Sequence, residues 1–276
     1  MHQSLLNYRH YHYLKVTLLI VAVATMLYVG DEPIGLPNGG TWVGYTLGIL
    51  AAFIVVWLMW FGVRKRQYQS TAGTVAGWLS AHVYLGTSLL VIATLHGGFQ
   101  FGWNVHTLSY AFMVAVIVSG FYGVYAYLRY PTLLAENRSD LTLPGMLMEI
   151  TELDHRCRET ALPLSDEIAR AILGASNNTP IGGSLWSQWS GHYPNCGTAK
   201  ALRTVQRLAR EAQGAQLKAS RELLTCLTKK QQKVTQARRY VQHKAKLEAW
   251  LYLHVPLSFA LLATLIAHII SVFFYW

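Results

Sequence analysis

The chain has 276 residues, of which 53% are hydrophobic and only 13% charged, and its formal net charge is +10. That composition belongs to an integral membrane protein and excludes both an ordinary water-soluble domain and a disordered chain. No GxGxxG or Walker motif occurs, so the sequence offers no nucleotide site of those kinds.

Five apolar stretches are long enough to cross a bilayer: residues 15–30, 41–63, 76–98, 104–128 and 249–274. The first is the shortest. No small-residue cleavage site follows Gly30, so it reads as an anchor rather than a signal peptide. Between the fourth and fifth spans lies a polar segment, residues 130–248. The expected organisation is therefore 1–129 as four transmembrane helices, 130–248 as a helical insert and 249–276 as the fifth transmembrane helix.

Charge orients these spans. The first loop carries Asp31 and Glu32 and no base, the second begins Arg64-Lys65-Arg66, and the third, GFQFGWNV, is uncharged. Residues 130–248 hold 17 Lys/Arg against 11 Asp/Glu. Basic loops stay cytoplasmic. The N-terminus, second loop and insert are expected inside and the C-terminus outside, so the third and fifth spans run the same way. A compact chain with this bias and no visible targeting peptide points to a bacterial inner membrane, the C-terminus being periplasmic.

The insert itself divides by composition. Up to Gly174 it reads as two or three short helices. Asn177 to Gly197, rich in Gly, Ser, Asn and Trp, reads as a loop. Thr198 to Glu248 reads as one long basic helix with 13 Lys/Arg and three Glu, continuous with the fifth span. With no aromatic interleaving or DNA-binding motif, nucleic acid is not the expected partner. Anionic lipid headgroups or an acidic partner subunit are.

Two histidine pairs stand in these spans at one spacing: His82 and His96 in the third, and His254 and His268 in the fifth. Fourteen residues of helix rise about 21 Å and fall only about 40° short of four full turns. Each pair thus projects from nearly one face at two membrane depths. On parallel helices His82 meets His254 near the inside and His96 meets His268 near the outside. Ionisable residues at that depth are costly and mark function. Four imidazoles in two stacked pairs are what two non-covalent b-type haems with bis-histidine ligation require, and these four are the expected iron ligands. Cys157, Cys196 and Cys226 form no CxxC or CxxCH pattern, which excludes c-type attachment and clustered iron–sulfur ligation. They are expected to be free thiols.

Small residues support the same reading. Gly44, Gly48, Gly86, Gly97, Gly120 and Gly123 are expected where a flat macrocycle or a neighbouring helix approaches the backbone. Anionic propionates need bases or donors near the headgroups. Arg64, Lys65, Arg66, Arg129 and Lys15 serve inside, and Trp103, Asn104, His106, Tyr110 and Gly97-Gly98 outside. Pro256 falls early in the fifth span, either kinking it or lying in its first turns. His10 and His12 could frame an inner quinone pocket, and His106 an outer one. His155, His192 and His243 read as surface histidines of the insert.

Paired histidines on the third and fifth spans resemble the dihaem core of ferric-reductase and NADPH-oxidase transmembrane domains. The spacing of 14 on parallel helices also resembles the respiratory cytochrome b of quinol oxidoreductases. The likeness covers spans two to five, and no PEWY-type quinol motif accompanies it. It implies an all-α membrane protein with a dihaem four-helix core, acting as an electron-transfer subunit between redox partners or quinone. Because the chain has neither iron–sulfur nor c-type motifs, partners carrying such groups are expected. A self-contained oxidoreductase using quinol or an external metal, and a haem-free scaffold with a basic docking insert, are the other readings.

Overall fold

A computed structural model describes residues 5–33, 35–67, 73–136 and 142–274. Residues 137–141 of the expected insert lie outside the described residues. Among the described residues all regular structure is helical. A short 3-10 turn at Leu5–Asn7 precedes α1 (His12–Val29), α2 (Trp42–Arg66), α3 (Val75–His96) and α4 (Val105–Glu136). Then come α5 (Leu143–Ala161), α6 (Asp166–Asn177), α7 (Leu185–Ser190), α8 (Gly197–Leu208) and α9 (Gly214–Phe274). Helices α1, α2, α3, α4 and α9 are each long and apolar enough to cross a membrane. The protein is an all-α membrane protein.

The chain divides into two compact units, Met1–Val124 with Trp250–Trp276, and Tyr125–Ala249. In the first unit α2 and α3 start by one local rule. Thr41 accepts a hydrogen bond from Gly44 N at 3.0 Å, and Thr74 accepts one from Gly77 N at 3.1 Å. Each threonine satisfies an amide that the first turn would leave open, which is worth about 1 kcal/mol. The 3-10 turn and the residues after it pack on α3: Tyr84 donates to Leu6 O, and Thr74 donates to the Tyr8 hydroxyl. Beyond α3 the chain turns sharply at Gly98, whose φ of +58° and close approach to the Pro37 carbonyl leave no room for a side chain.

The core of this unit lies between the two histidine layers. Leu47, Ile54, Val55 and Leu58 of α2 pack there with Leu89, Ile92 and Leu95 of α3, joined by Ala24, Met113, Ile117 and Leu261. Outward faces stay apolar: Leu19, Met26, Ile49, Phe53, Phe259 and Phe273 are all exposed. Burying such faces in hydrocarbon rather than water makes the span set stable. Helices α1, α2 and α3 approach one another backbone to backbone, while α3 and the C-terminal part of α9 stand wider apart. Long side chains bridge that wider gap.

The second unit has its own core. Cys157, Ala161, Ile168, Ile172, Ala201, Val205, Leu223 and Leu227 form it, with a smaller cluster of Met146, Ile150, Val234 and Ala237. Lys230 is wholly buried here, paired with Asp154 and donating to Ala175 O at 2.8 Å.

Three expectations need correction. Thr198 to Glu248 is not one helix: α8 ends at Leu208, and α9 begins at Gly214, whose φ is +60°. Asn177 to Gly197 is not all loop, because Ser184 caps the short α7. Helix α4 does not stop near Leu128 but continues to Glu136, with Pro131 inside it. Pro256 lies within α9.

Candidate functional site

The four histidines come from two helices, as their spacing requires. His82 and His96 stand on α3, and His254 and His268 stand on α9. The His82 and His254 ring centres are 6.4 Å apart, and those of His96 and His268 are 6.1 Å apart. An imidazole nitrogen binds a metal at about 2.0 Å and its ring centre lies about 1.1 Å beyond, so two trans imidazoles on one metal stand about 6.3 Å apart. Both pairs have that separation. Their interplanar angles are 57° and 71°. Trans axial rings are free to take either angle, since each turns about its own metal–nitrogen bond.

Backbone and hydroxyl partners set the ring tautomers. His96 Nδ1 lies 2.7 Å from the Gly44 carbonyl, which can only accept. His96 Nδ1 therefore carries the proton, and Nε2 keeps its lone pair for a metal. Ser119 spends its own proton on Val116 O at 2.7 Å, so its oxygen accepts from His254 Nδ1 at 2.9 Å. His254 Nε2 is left as a ligand atom by the same logic. Such partners are the ordinary support of metal-bound imidazole. His82 Nδ1 is buried without a well-formed hydrogen bond among the described residues.

Several of the singled-out glycines face these rings. A Cβ on Gly48 would stand 2.7 Å from His96 Cε1 and 2.8 Å from Nδ1. One on Gly120 would touch His254 at 3.5 Å, and one on Gly97 would meet His106 at 2.9 Å. Gly44 serves through its carbonyl, and its missing side chain clears Asn38 O. Gly123 instead makes room for Trp250, whose ring is 5.3 Å from that of His254. Gly86 meets only Leu58, an ordinary helix contact. Gly39, which sequence reasoning passed over, also lies against His96.

The bases behave differently from one another. Arg64 is buried and donates to the carbonyls of Gln67 at 2.9 Å and Gly73 at 2.7 Å, pinning the end of α2. That engagement ties the end of α2 to the loop that follows it. Arg66 is exposed at the end of the same helix. Arg129 is exposed and belongs to the second unit. His10 and His12 are exposed, with His12 edge-on to Tyr13.

Sequence reasoning missed the part played by His106, at the start of α4. Its ring centre lies 5.3 Å from that of His96 and 5.0 Å from that of His268. The ligand atoms of these three histidines lie within 4.8 Å of one another. They border a cavity of about 730 Å³, whose wall also includes Asn38, Tyr45, Gln100, Asn104, Ser109 and Tyr110. That volume is of the size that holds cofactors and small ligands. A single histidine at the head of α4 carries no periodic signal, so only the fold brings it to the pair.

Comparison with known proteins yields no family model that matches the chain, and no curated protein or solved structure similar to it.

Proposed function

We propose that the chain is a membrane cytochrome b that carries electrons across the bilayer, with b-type haem held at His82–His254 and at His96–His268. The observation that carries this reading is the repeated ring separation, 6.4 and 6.1 Å, on two helices whose histidines share one spacing. Bound haem supplies a one-electron couple at each layer. Haem held by both histidines of a pair would have no open site for small molecules, which would favour electron transfer over oxygen chemistry. Ser119 and the Gly44 carbonyl hold two of the rings in the ligating tautomer. Gly48 and Gly120 leave room for the His96 and His254 rings themselves.

Loop charge supports a cytoplasmic N-terminus and insert, a periplasmic C-terminus and a bacterial inner membrane. The basic insert suits anionic lipid or an acidic redox subunit. Iron–sulfur proteins or multihaem c-type cytochromes fit as partners, because this chain supplies no such centre. The cavity beside His96 and His268 would admit the head of a quinone.

Reduced-minus-oxidised optical spectra of the purified chain, with a pyridine haemochrome count, test the proposal. Two low-spin b-type haems per chain are expected. His82→Ala and His96→Ala should each remove one. A colourless chain after expression with ample haem supply would overturn the reading in favour of a haem-free scaffold.

A further inference from the structure

The two histidine layers are not alike. The inner layer brings two imidazoles together, and the outer layer brings three. The outer ring centres form a triangle with sides of 5.0, 5.3 and 6.1 Å. The centre of that triangle lies about 3.2 Å from every corner, against about 3.1 Å for the ring centre of an imidazole bound to a metal through one nitrogen. Three rings on different parts of the chain are thus equidistant from one point at the metal–imidazole distance.

The same triangle argues against an equatorial macrocycle in this arrangement. The midpoint between His96 and His268 lies about 4.1 Å from the His106 ring centre, almost at right angles to the line joining them. A porphyrin centred at that midpoint would occupy the volume of the His106 ring. Haem and the present position of His106 therefore exclude one another, and outer-layer haem requires that ring to swing aside.

We infer that His96, His106 and His268 form a binding site for a first-row divalent ion of the zinc or copper(II) class, exclusive with haem in that layer. Neutral imidazoles suit such ions, and three of them leave a fourth position open for water or a small ligand. The adjoining cavity provides that opening, with Asn104, Ser109 and Tyr110 on its wall. One ligand has its tautomer set: the Gly44 carbonyl can only accept, which puts the His96 proton on Nδ1 and leaves the Nε2 lone pair for an ion. Gly48 and Gly97, both without a side chain, let the His96 and His106 rings approach the backbone closely. A bound ion would hold His106 in the macrocycle plane and keep the outer layer haem-free. This competition rests on the haem reading, but the ion site does not.

The test uses the full chain in detergent, freed of haem and treated with chelator. Cobalt(II) absorption reports coordination geometry, and zinc(II) titration calorimetry reports stoichiometry. We expect one ion per chain, intense cobalt bands of four-coordinate character, and at least tenfold weaker binding in His106→Ala and His106→Gln. His155→Ala, at an exposed histidine of the second unit, should bind as the parent does. Helix content by circular dichroism confirms that each variant is folded. Weak six-coordinate cobalt spectra, unchanged by either His106 variant, would overturn the inference and mark the binding as adventitious. Haem counts separate the two readings. Two haems with no ion site leaves the cytochrome and removes this inference; an ion site with no haem removes the cytochrome and leaves this inference. Both readings stand where zinc lowers the haem count from two to one and His106→Ala restores it.

Discussion

Ser119 Oγ lies 2.9 Å from His254 Nδ1 while donating its own proton to Val116 O, so a hydroxyl on α4 is set to accept from the histidine ring on α9 and to favour Nε2 as the free nitrogen. Removing the hydroxyl frees the ring to rotate and to exchange tautomers. Ser119→Ala should weaken haem retention at the inner layer by about tenfold, since that is the usual cost of losing such a partner. Haem transfer to an apoprotein acceptor measures this. Unchanged retention would show that packing alone orients His254.

Gly48 allows a sharper contrast. A methyl group there would press on the His96 ring at 2.7 Å, whereas one at Gly62, on the same helix, meets nothing within 4 Å. Gly48→Ala should abolish the outer haem and the ion site while leaving the inner haem in place. Gly62→Ala should leave both layers intact and raise helix stability by about 0.5–1 kcal/mol. Haem counts and thermal melts of the two variants side by side check the pair.

In the second unit the informative residue is Lys230, only 1% exposed and paired with Asp154. Asp154 also accepts from Ser176. Asp154→Ala would leave a buried ammonium with the Ala175 carbonyl as its remaining acceptor among the described residues. A loss of about 3–5 kcal/mol is expected for that unit, and Lys230→Met in the same background should recover part of it. Protease sensitivity between residues 142 and 249 reports the loss, since cleavage of an opened segment tracks its stability.

Cys157 and Cys226 place their sulfurs 2.7 Å apart, joining α5 to α9. Burial pushes the Cys157 thiol well above its ordinary pKa, with the neighbouring Cys226 sulfur adding to the shift. Cys157 therefore stays protonated at neutral pH, and Cys226, the less buried of the two, should be alkylated first. Diamide, which accepts two electrons and two protons, should join the two sulfurs within one chain. Peptide mapping identifies the bridge, and Cys196, buried elsewhere, should not appear in it.

Much of this was legible in the residues. The length of the apolar runs gave the spans, because hydrocarbon admits only satisfied backbone. The spacing of 14 gave the histidine faces, because helix geometry is fixed. Gly48 and Gly120 were legible only as small residues that a ring or a neighbouring helix could approach. What escaped notice was local or long-range. Gly214 breaks a basic stretch whose periodicity continues on both sides, and only its left-handed backbone reveals the break. His106 has no periodic partner, and its meeting with His96 and His268 arises from helix packing alone. The two loop carbonyls that accept from Arg64 carry no sequence signal either, because any residue supplies a carbonyl.

The two best-supported histidines differ in how selection can reach them. His254 leans on a side-chain hydroxyl, so a single base change can delete, lengthen or replace its support. His96 leans on the main-chain carbonyl of Gly44, and no exchange of side chain removes a carbonyl. Descendants of this chain can therefore drift in the orientation of the His254 ring through position 119, while the His96 ring keeps its main-chain anchor through the same mutational history.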